Sequence, residues 1–444
     1  MELEKVLKLP NILTLKKILG VTADLHLVGG AVRDILLDRT PKDFDFATAL
    51  TPDEMIHMLQ INSIRWIPVG IRRGTLAIVI KGEVFEVTTF RDPSQETQFT
   101  SSIEEDLPAR DFTINAIAIS LNTGKLVDPF RGEEDLKNNV LKAVGNPERR
   151  FMEDPHRILR MLRFGIGQNR KVDQKTKVTA YKLATLVEGI SIERIRDELS
   201  KILITDNASE AFKELLEMGI LNMFIPELVS TVNIKQNKWH LWDVFTHILK
   251  VVDLCPKDKI TRLAALLHDV GKPLCISEDE NGRHFLEHET VSAKLAEVVL
   301  KRLKFPSREI AEVVTLIREH MRPIENCKGK AIRKTMVKVG DLFPKWLDHK
   351  KADKLGGIKG LDPEAFEVEW NAFLAKVTQE QERKQTSKFD SLEISGRDIM
   401  ALGVAQGPNV GIILSKLQEI VIDDPDFNQR RVLIVLARRI INGQ

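Results

Sequence analysis

The strongest constraint in this chain of 444 residues is a change of hydrophobic period near Pro147. Up to about residue 145 the sequence mixes strand and helix signals. "LHLVGG" reads as a strand running into a turn, and "AVRDILLD" as a short helix. "DFDFAT", "TLAIVIKG", "VFEVTTF" and "INAIAISL" read as strands. Beyond Pro147 apolar residues recur at helical spacing almost without interruption, as in "DPHRILRMLRFGIG" and "SIERIRDELSKILI". A chain that confines its strands to one end builds an α+β fold, with a small mixed sheet and a helical remainder. The length sets an expectation of two to four domains. The polar stretch "TQEQERKQTSKFDS" (378–391) reads as a linker or a helix-to-loop exit, with a last helical unit from Ser395. No fixed-period repeat is present.

Composition excludes some function classes. No apolar run approaches the roughly 18 residues of a membrane span, so no membrane partner is expected. Cys255, Cys275 and Cys327 are too few and too scattered for a disulfide framework or a cysteine zinc site. The first residues, MELEKVLKLPN, mix charges early and hold no signal-peptide core. A cytoplasmic location is the expectation. The net charge of +2 neither advertises nor excludes nucleic acid. The segment Lys328–Lys359 is basic and reads by itself as a solvated helical face. With one Tyr and five Trp, the chain is poorly equipped to stack single-stranded bases, so phosphate and shape are the expected handles on any nucleic acid.

Residues 27–48, "LVGGAVRDILLDRTPKDFDFAT", carry the first chemistry. Side chains alternate along a strand, so Asp43 and Asp45 are expected on one face and Phe44 and Phe46 on the other. Paired carboxylates can hold one or two Mg²⁺ ions, and two metals clamp the attacking and leaving oxygens of a phosphoryl transfer. Gly29 and Gly30 let backbone approach a ligand closely, and the following helix offers N–H groups to an anion. Arg33 adds charge-assisted contacts one turn later. Glu86, sharing a strand face with Thr88 and Phe90, is a candidate third carboxylate. Arg110 is placed to meet a phosphate, and Asp111 a ribose hydroxyl or the arginine, with Asn115 nearby.

"LVGGAVRD", "DFDFAT", "RDFTINAIA" and "EDPHRILRMLRF" follow the order seen in class II tRNA nucleotidyltransferases and the related bacterial poly(A) polymerases, and the chain resembles that family along essentially its whole length. The resemblance implies a nucleotidyltransferase head (1–145), a helical neck (146–222), a helical body (223–377) and a helical tail that binds tRNA (390–444). It implies Mg²⁺ on Asp43 and Asp45, with nucleotide contacts from Gly30, Arg33 and Arg110. It also makes Asp154 and Arg157 the protein template that selects the base, with Glu153 beside them and Arg160 and Arg163 on the same ridge. At i and i+3 the pair is expected on one helix face. Cytosine and adenine both offer an exocyclic amino group beside a ring acceptor. Asp154 would accept from the amino group while Arg157 donates to the ring. Uracil and guanine put a carbonyl where the amino group should be, and each polar group left unpaired costs about 1–3 kcal/mol.

This sequence departs from the family in places. Ala109-Arg110-Asp111 stands where Arg-Arg-Asp is frequent, and His156 where an apolar residue is frequent. Between "TTFR" and "EEDL" the chain carries only "DPSQETQFTSSI" (92–103), where CCA-adding members have a longer loop rich in Gly, Asp and Arg. That shortening resembles the CC-adding subgroup, which takes CTP, adds two cytidines and leaves the terminal adenosine to a separate A-adding enzyme. Complete CCA addition using CTP and ATP, A-addition and poly(A) synthesis are the alternatives.

"HLWDVFTH", "LLHDVGKP", "HFLEHE", "REHM" and "KKADKLGG" resemble in their order the HD superfamily of metal-dependent phosphohydrolases. The resemblance implies a divalent-metal site on His247, His268, Asp269, His288, His320 and Asp353. His268 and Asp269 are expected near the end of an apolar helix that stops before Gly271. His240 and His284 lie nearby without need to ligate, and Lys272 is placed to contact a phosphate. An HD phosphohydrolase acting on RNA ends or nucleotides is therefore the competing enzyme class. A tRNA-binding assembly factor with a decayed head is the non-enzymatic one, and the intact Asp43/Asp45 pair speaks against it.

Overall fold

The computed structural model describes residues 3–20, 24–41, 43–71, 74–92, 99–237, 240–280, 282–324, 327–357 and 360–443. The chain divides into two compact units, Met1–Ile220 and Leu221–Gln444. Most of the shortened segment 92–103, namely 93–98, lies outside the described residues.

The first unit is built on a seven-stranded sheet in the order β3-β4-β5-β2-β1-β6-β7. The strands are β1 (Leu25–Val28), β2 (Asp45–Thr48), β3 (Arg65–Gly70), β4 (Thr75–Ile80), β5 (Glu83–Thr89), β6 (Ala118–Ser120) and β7 (Leu126–Val127). All neighbours are antiparallel except β2 and β5, which run parallel with Asp45 opposite Glu86. A parallel pair needs a long crossover. Here it contains the helix Pro52–Ile61, begun by a Thr51/Glu54 capping box, and strands β3 and β4. Leu27, Val32, Phe46, Ile78, Phe85 and Ile119 form part of one buried cluster that fixes the sheet against its helices.

Three expectations for this unit need correction. Asp43 is not in a strand. The last rung of the β1–β2 ladder is Val28 with Asp45, because Gly29 (φ +70°) then turns the chain into helix Gly30–Leu36. Asp43 lies in the bend ahead of β2, so strand alternation does not set its direction. "INAIAISL" is strand only from Ala118, since Thr113–Asn115 coils into one 3-10 turn. Beyond Pro147 the short strand Lys171–Val172, paired with Val140–Leu141 ahead of it, interrupts the helices.

The second unit is helical, with a hairpin (Ile276–Asp279 and Gly282–Phe285) that the all-helical expectation missed. Helices Val244–Leu254, Lys259–Leu267, His288–Arg302, Ser307–Glu319 and Phe343–Gly357 surround its polar centre. Asp243 and Asp258 cap the first two by accepting hydrogen bonds from the Thr246 and Thr261 amides. Of the two readings of the stretch 378–391, the structure has the helix-to-loop exit and not a linker. Helix Pro363–Ser387 runs through it, with Val377 buried and Glu380 accepting from buried Arg333 at 2.8 Å. It ends at Lys388, whose backbone is left-handed. The same Arg333, with buried Thr335 and Lys350, shows that the basic segment 328–359 is not wholly a solvated face. Among the described residues no helix is long and apolar enough to cross a membrane.

Candidate active site and candidate metal centre

The turn after β1 and the start of β2 bring the first site together. A Cβ built on Gly29 would lie 3.6 Å from Asp45 Oδ2 and 3.9 Å from Arg110 Nη1, so the bare backbone sits against both. The parallel register sets Glu86 opposite Asp45. Burial pushes the Asp45 carboxyl above its usual range, and the Glu86 and Asp43 charges push the same way against Arg110. Among the described residues no hydrogen bond or ion pair reaches the side chain of Asp43 or Asp45. A carboxylate cluster short of positive charge suits a hard divalent cation with oxygen ligands, so Asp43, Asp45 and Glu86 fit Mg²⁺.

The arginines around this cluster are held by partners that the motifs did not announce. Arg110 donates through Nη2 and Nε to Asp106 Oδ2, at 2.9 and 3.2 Å. Asp106 is 1% exposed, and Arg110 with Arg91 outweighs burial to keep it below the usual range. Arg33 Nη1 donates to Asn115 Oδ1 at 2.9 Å, and Asn115 in turn donates to Asp111 Oδ1 at 3.0 Å. Asp111 Oδ2 accepts from Arg160 Nε at 2.7 Å and lies 2.6 Å from Arg160 Nη2 in an ion pair. Burial opposes the Asp111 charge, but Arg160 and the hydrogen bonds to the carboxylate hold its pKa below the usual range. Arg163 donates to Glu198, which is 1% exposed. The Arg33, Arg160 and Arg163 guanidiniums all sit over the Phe164 ring, with carbon-to-centroid distances of 5.1, 5.1 and 4.0 Å.

Asp154 and Arg157 do not share a helix. Asp154 is extended (φ −147°, ψ 96°) between helices Pro147–Glu153 and His156–Phe164. The cause is Pro155, since the residue before a proline is driven out of the helical region. Both Asp154 oxygens accept from Arg194 Nη2, at 3.0 and 2.9 Å, and Oδ1 also accepts from the His156 amide at 3.2 Å. Arg157 donates to the Ala109 carbonyl at 2.7 Å, to the Arg150 carbonyl at 3.1 Å and to Glu153 at 3.3 Å. Arg194 and Glu198, one turn apart on helix Ile192–Leu203, were missed as site residues. Their signal is a basic and an acidic residue at i and i+4 in "SIERIRDELS". A cavity of about 700 Å³ is lined by Gly30, Arg33, Asp43, Asp45 and Arg163 among others, but not by Asp154, Arg157 or Arg110.

In the second unit six of the expected ligands meet. His247 Nε2 lies 3.1 Å from Asp353 Oδ1, 3.4 Å from Asp269 Oδ2 and 3.3 Å from His268 Nε2. His268 Nε2 is 3.1 Å from Asp269 Oδ2, and His288 Nε2 is 3.2 Å from Asp269 Oδ1. His320 is more distant, at 3.9 Å from Asp269 Oδ1. Two triads, His247/His268/Asp353 and His268/Asp269/His320, have all ligand atoms within 4.8 Å of one another. His268 and Asp269 follow the end of helix Lys259–Leu267 rather than lying inside it.

Carbonyls orient the imidazoles. His268, His288 and His320 donate from Nδ1 to Ala265, Phe285 and Ile317, at 2.8, 2.7 and 2.6 Å. That leaves Nε2 toward the centre, the arrangement that prepares a histidine to ligate. Burial works against charge on His268, yet Asp269 and Asp353 lift its pKa to about 10. Burial likewise opposes the Asp269 charge, but His268 and Lys272 hold that carboxyl well below its usual range. A proton on His268 thus stands where the two carboxylates call for a cation, and both Asp269 oxygens lack a well-aligned hydrogen-bond donor. The donor set fits a divalent metal of the zinc, manganese or iron kind. Lys272 Nζ reaches Asp269 Oδ2 at 2.7 Å, and His240 and His284 line the adjoining cavity of about 640 Å³. His349 was not foreseen. It is fully buried, its ring 5.2 Å from that of His268, with neither nitrogen hydrogen-bonded.

Residues 25–142 match the Poly A polymerase head domain, 171–231 the family described as probable RNA and SrmB-binding site of polymerase A, and 240–346 the HD domain. A CC-adding tRNA nucleotidyltransferase of Thermus thermophilus is 33% identical over 411 residues, covering 89% of this chain and 89% of its own. A CCA-adding enzyme of Bacillus cereus is 28% identical over 417 residues, covering 92% of each chain. Among solved structures, the Bacillus stearothermophilus CCA-adding enzyme in complex with CTP is similar in fold. It has a TM-score of 0.72 at 24% identity, over 98% of this chain and 99% of that one.

Proposed function

This chain belongs to the family of tRNA nucleotidyltransferases that add CC or CCA, and as such is an enzyme of tRNA 3′-ends; we propose that it adds two cytidines from CTP and stops. The observation that carries CC-only addition is the brevity of Asp92–Ile103, twelve residues in which no Gly or Arg occurs. Changing the pocket from cytosine to adenine needs an element that moves with the growing primer, and this segment is too short and too plain to be that lever. Complete addition of CCA is the alternative. Product sizing decides between them, using tRNA ending at the discriminator base with CTP and ATP both present. A product ending in CC supports the proposal, and one ending in CCA overturns it.

The chemistry assigned to the head is attack of the tRNA 3′-oxygen on the α-phosphorus of CTP. The bond from that phosphorus to the bridging oxygen breaks, and pyrophosphate leaves with the electron pair. Mg²⁺ held by Asp43 and Asp45, with Glu86 beside them, would activate the hydroxyl and neutralise the triphosphate. Gly29 and Gly30 admit the phosphates to close backbone approach, and Arg33 and Arg110 contact them. Asp111 and Asn115 serve the sugar and fix Arg160 and Arg33. Asp154 and Arg157 read the amino group and ring acceptor of the base, backed by Arg160 and Arg163. The Asp154–Arg194 pair supports this reading, because a partly exposed surface ion pair of this kind is worth only about 0–1 kcal/mol and yields readily to a base.

The four segments 1–145, 146–222, 223–377 and 390–444 are assigned to catalysis, base and RNA binding, the HD centre and tRNA grip. The partners proposed are tRNA, CTP, and a separate A-adding enzyme that finishes the end, in a cytoplasmic setting. A second reading adds phosphohydrolase activity at the HD centre. It is favoured by the two overlapping triads and by the carbonyl-oriented histidines beside Lys272.

A further inference from the structure

Arg170 has no role in the site described above, and its surroundings are unusual for a buried cation. It is 7% exposed. Its Nη1 donates to the Phe164 carbonyl at 2.8 Å and to the Gln168 side chain. Its Nε has no acceptor, and no carboxylate lies within ion-pair distance of it among the described residues. A buried guanidinium without a carboxylate is costly. Burial, and then the neighbouring Arg33 and Arg39 charges, press its pKa down to about 10 against the single help of Asp34. The Phe164 carbonyl, at a helix C-terminus, offsets part of that cost.

Arg170 lines the same cavity of about 700 Å³ as Gly30, Arg33, Asp43 and Asp45, and exposed Lys201 lines it too. Arg39 lines the cavity as well, Arg33 is held by Asn115 and Asp34, and Arg163 by Glu198, whereas Arg170 and Lys201 have no carboxylate within ion-pair distance among the described residues. Asp34 and Asp206 also line it, so its cationic side is local rather than general. We propose that Arg170, with Lys201, forms an anion subsite for the pyrophosphate moiety of the incoming nucleotide and for pyrophosphate as it leaves. The inference rests on Asp43 and Asp45 marking the reaction centre. The α-phosphorus then lies at the carboxylates, and the β- and γ-phosphates extend along the cavity. A phosphate oxygen beside Arg170 supplies the missing negative charge and makes a charge-assisted hydrogen bond.

The test uses the full-length protein with Mg²⁺ and inorganic pyrophosphate as probe. Calorimetry gives the dissociation constant, and steady-state kinetics give KM for CTP and for tRNA separately. Arg170→Gln keeps an amide donor for the Phe164 carbonyl but loses the charge. It is expected to weaken pyrophosphate about ten-fold or more, as a lost hydrogen bond to a charged group should. KM for CTP rises with it, and KM for tRNA stays put. Arg170→Lys restores most of the affinity, and Lys201→Ala gives a smaller loss without destabilising the fold. Thermal stabilisation by pyrophosphate is expected for the wild type and should disappear in Arg170→Gln. Unchanged pyrophosphate affinity in a folded Arg170→Gln variant would reduce Arg170 to a helix cap and overturn the proposal. A rise in KM for tRNA alone would also overturn it, by assigning the subsite to RNA backbone phosphate. Asp45→Ala separates the premise from the inference. If that variant still adds nucleotide, the reaction centre is misplaced whatever Arg170 does.

Discussion

Replacing Arg160 by Met should destabilise the first unit in a way that depends on pH. Asp111 is 7% exposed, and its two oxygens are served differently. Oδ1 accepts from the Phe112 amide at 2.8 Å and from Asn115 at 3.0 Å, whereas Oδ2 accepts from Arg160. Met keeps much of the contact with Phe164 but strands Oδ2 without a donor. Removing one partner of a buried pair costs about 3–5 kcal/mol. The Arg160 side chain is 32% exposed, so water screens part of the pair, and about 2–3 kcal/mol is the expected loss near neutral pH. In the wild type the Asp111 pKa is depressed. Its contribution is therefore fully present above the unfolded value of about 3.9 and is lost as pH falls through the lower folded value. Without Arg160, burial dominates and raises the Asp111 pKa. The gap between wild type and variant should be widest near pH 7 and shrink as the solution is acidified toward pH 4. Hydrogen exchange in urea, resolved to peptides spanning 103–170, reads this unit apart from the other. A loss below about 0.5 kcal/mol, the ordinary range for a surface substitution, or a loss that does not change with pH, would refute the reasoning.

Asp43→Ala and Asp45→Ala should each abolish nucleotide addition while thermal unfolding stays within a few degrees of wild type, because both carboxylates serve the metal and neither supports the fold. Full activity in either would remove the head-site assignment. Asp154→Ala or Arg157→Ala should relax discrimination against UTP and GTP about ten-fold or more, the worth of one unpaired polar group, with a smaller change in triphosphate affinity. Unaltered ratios of kcat/KM would put selection elsewhere. The pair His268→Ala with Asp269→Ala should lose bound divalent metal, measured by elemental analysis, together with any phosphohydrolase activity, and should retain CTP addition. Loss of both activities in a folded protein would mean the centres are not separable.

The motifs made the fold class legible because strand and helix periods occupy different parts of the chain. They also picked out residues whose chemistry is unusual, such as Asp45 at a glycine turn and the adjacent His268 and Asp269. What escaped was whatever depends on partners far apart in sequence. Asp106 and Glu198 stand out by no local motif, yet each is 1% exposed and pairs with an arginine of the site. Strand β3 has an exposed face and carries Pro68, so it shows neither apolar alternation nor a clean strand composition. The last part of helix Pro363–Ser387 resembled a linker because its residues are polar, and past Phe366, Trp370, Phe373 and Val377 only Glu380 continues the buried side. Asp154 was misplaced onto a helix because the i, i+3 count ran through Pro155, whose effect on the preceding residue outranks the spacing.

The central claim is that one head site extends a tRNA 3′-end without a template. It is tested most directly by giving tRNA that ends at the discriminator base each of the four α-labelled nucleoside triphosphates in turn, with Mg²⁺, alongside Asp45→Ala. The account predicts label from CTP on the tRNA, a product two nucleotides longer, little or nothing from UTP or GTP, and no label with the variant. No incorporation from CTP by folded wild-type protein, or equal incorporation from all four, would contradict it.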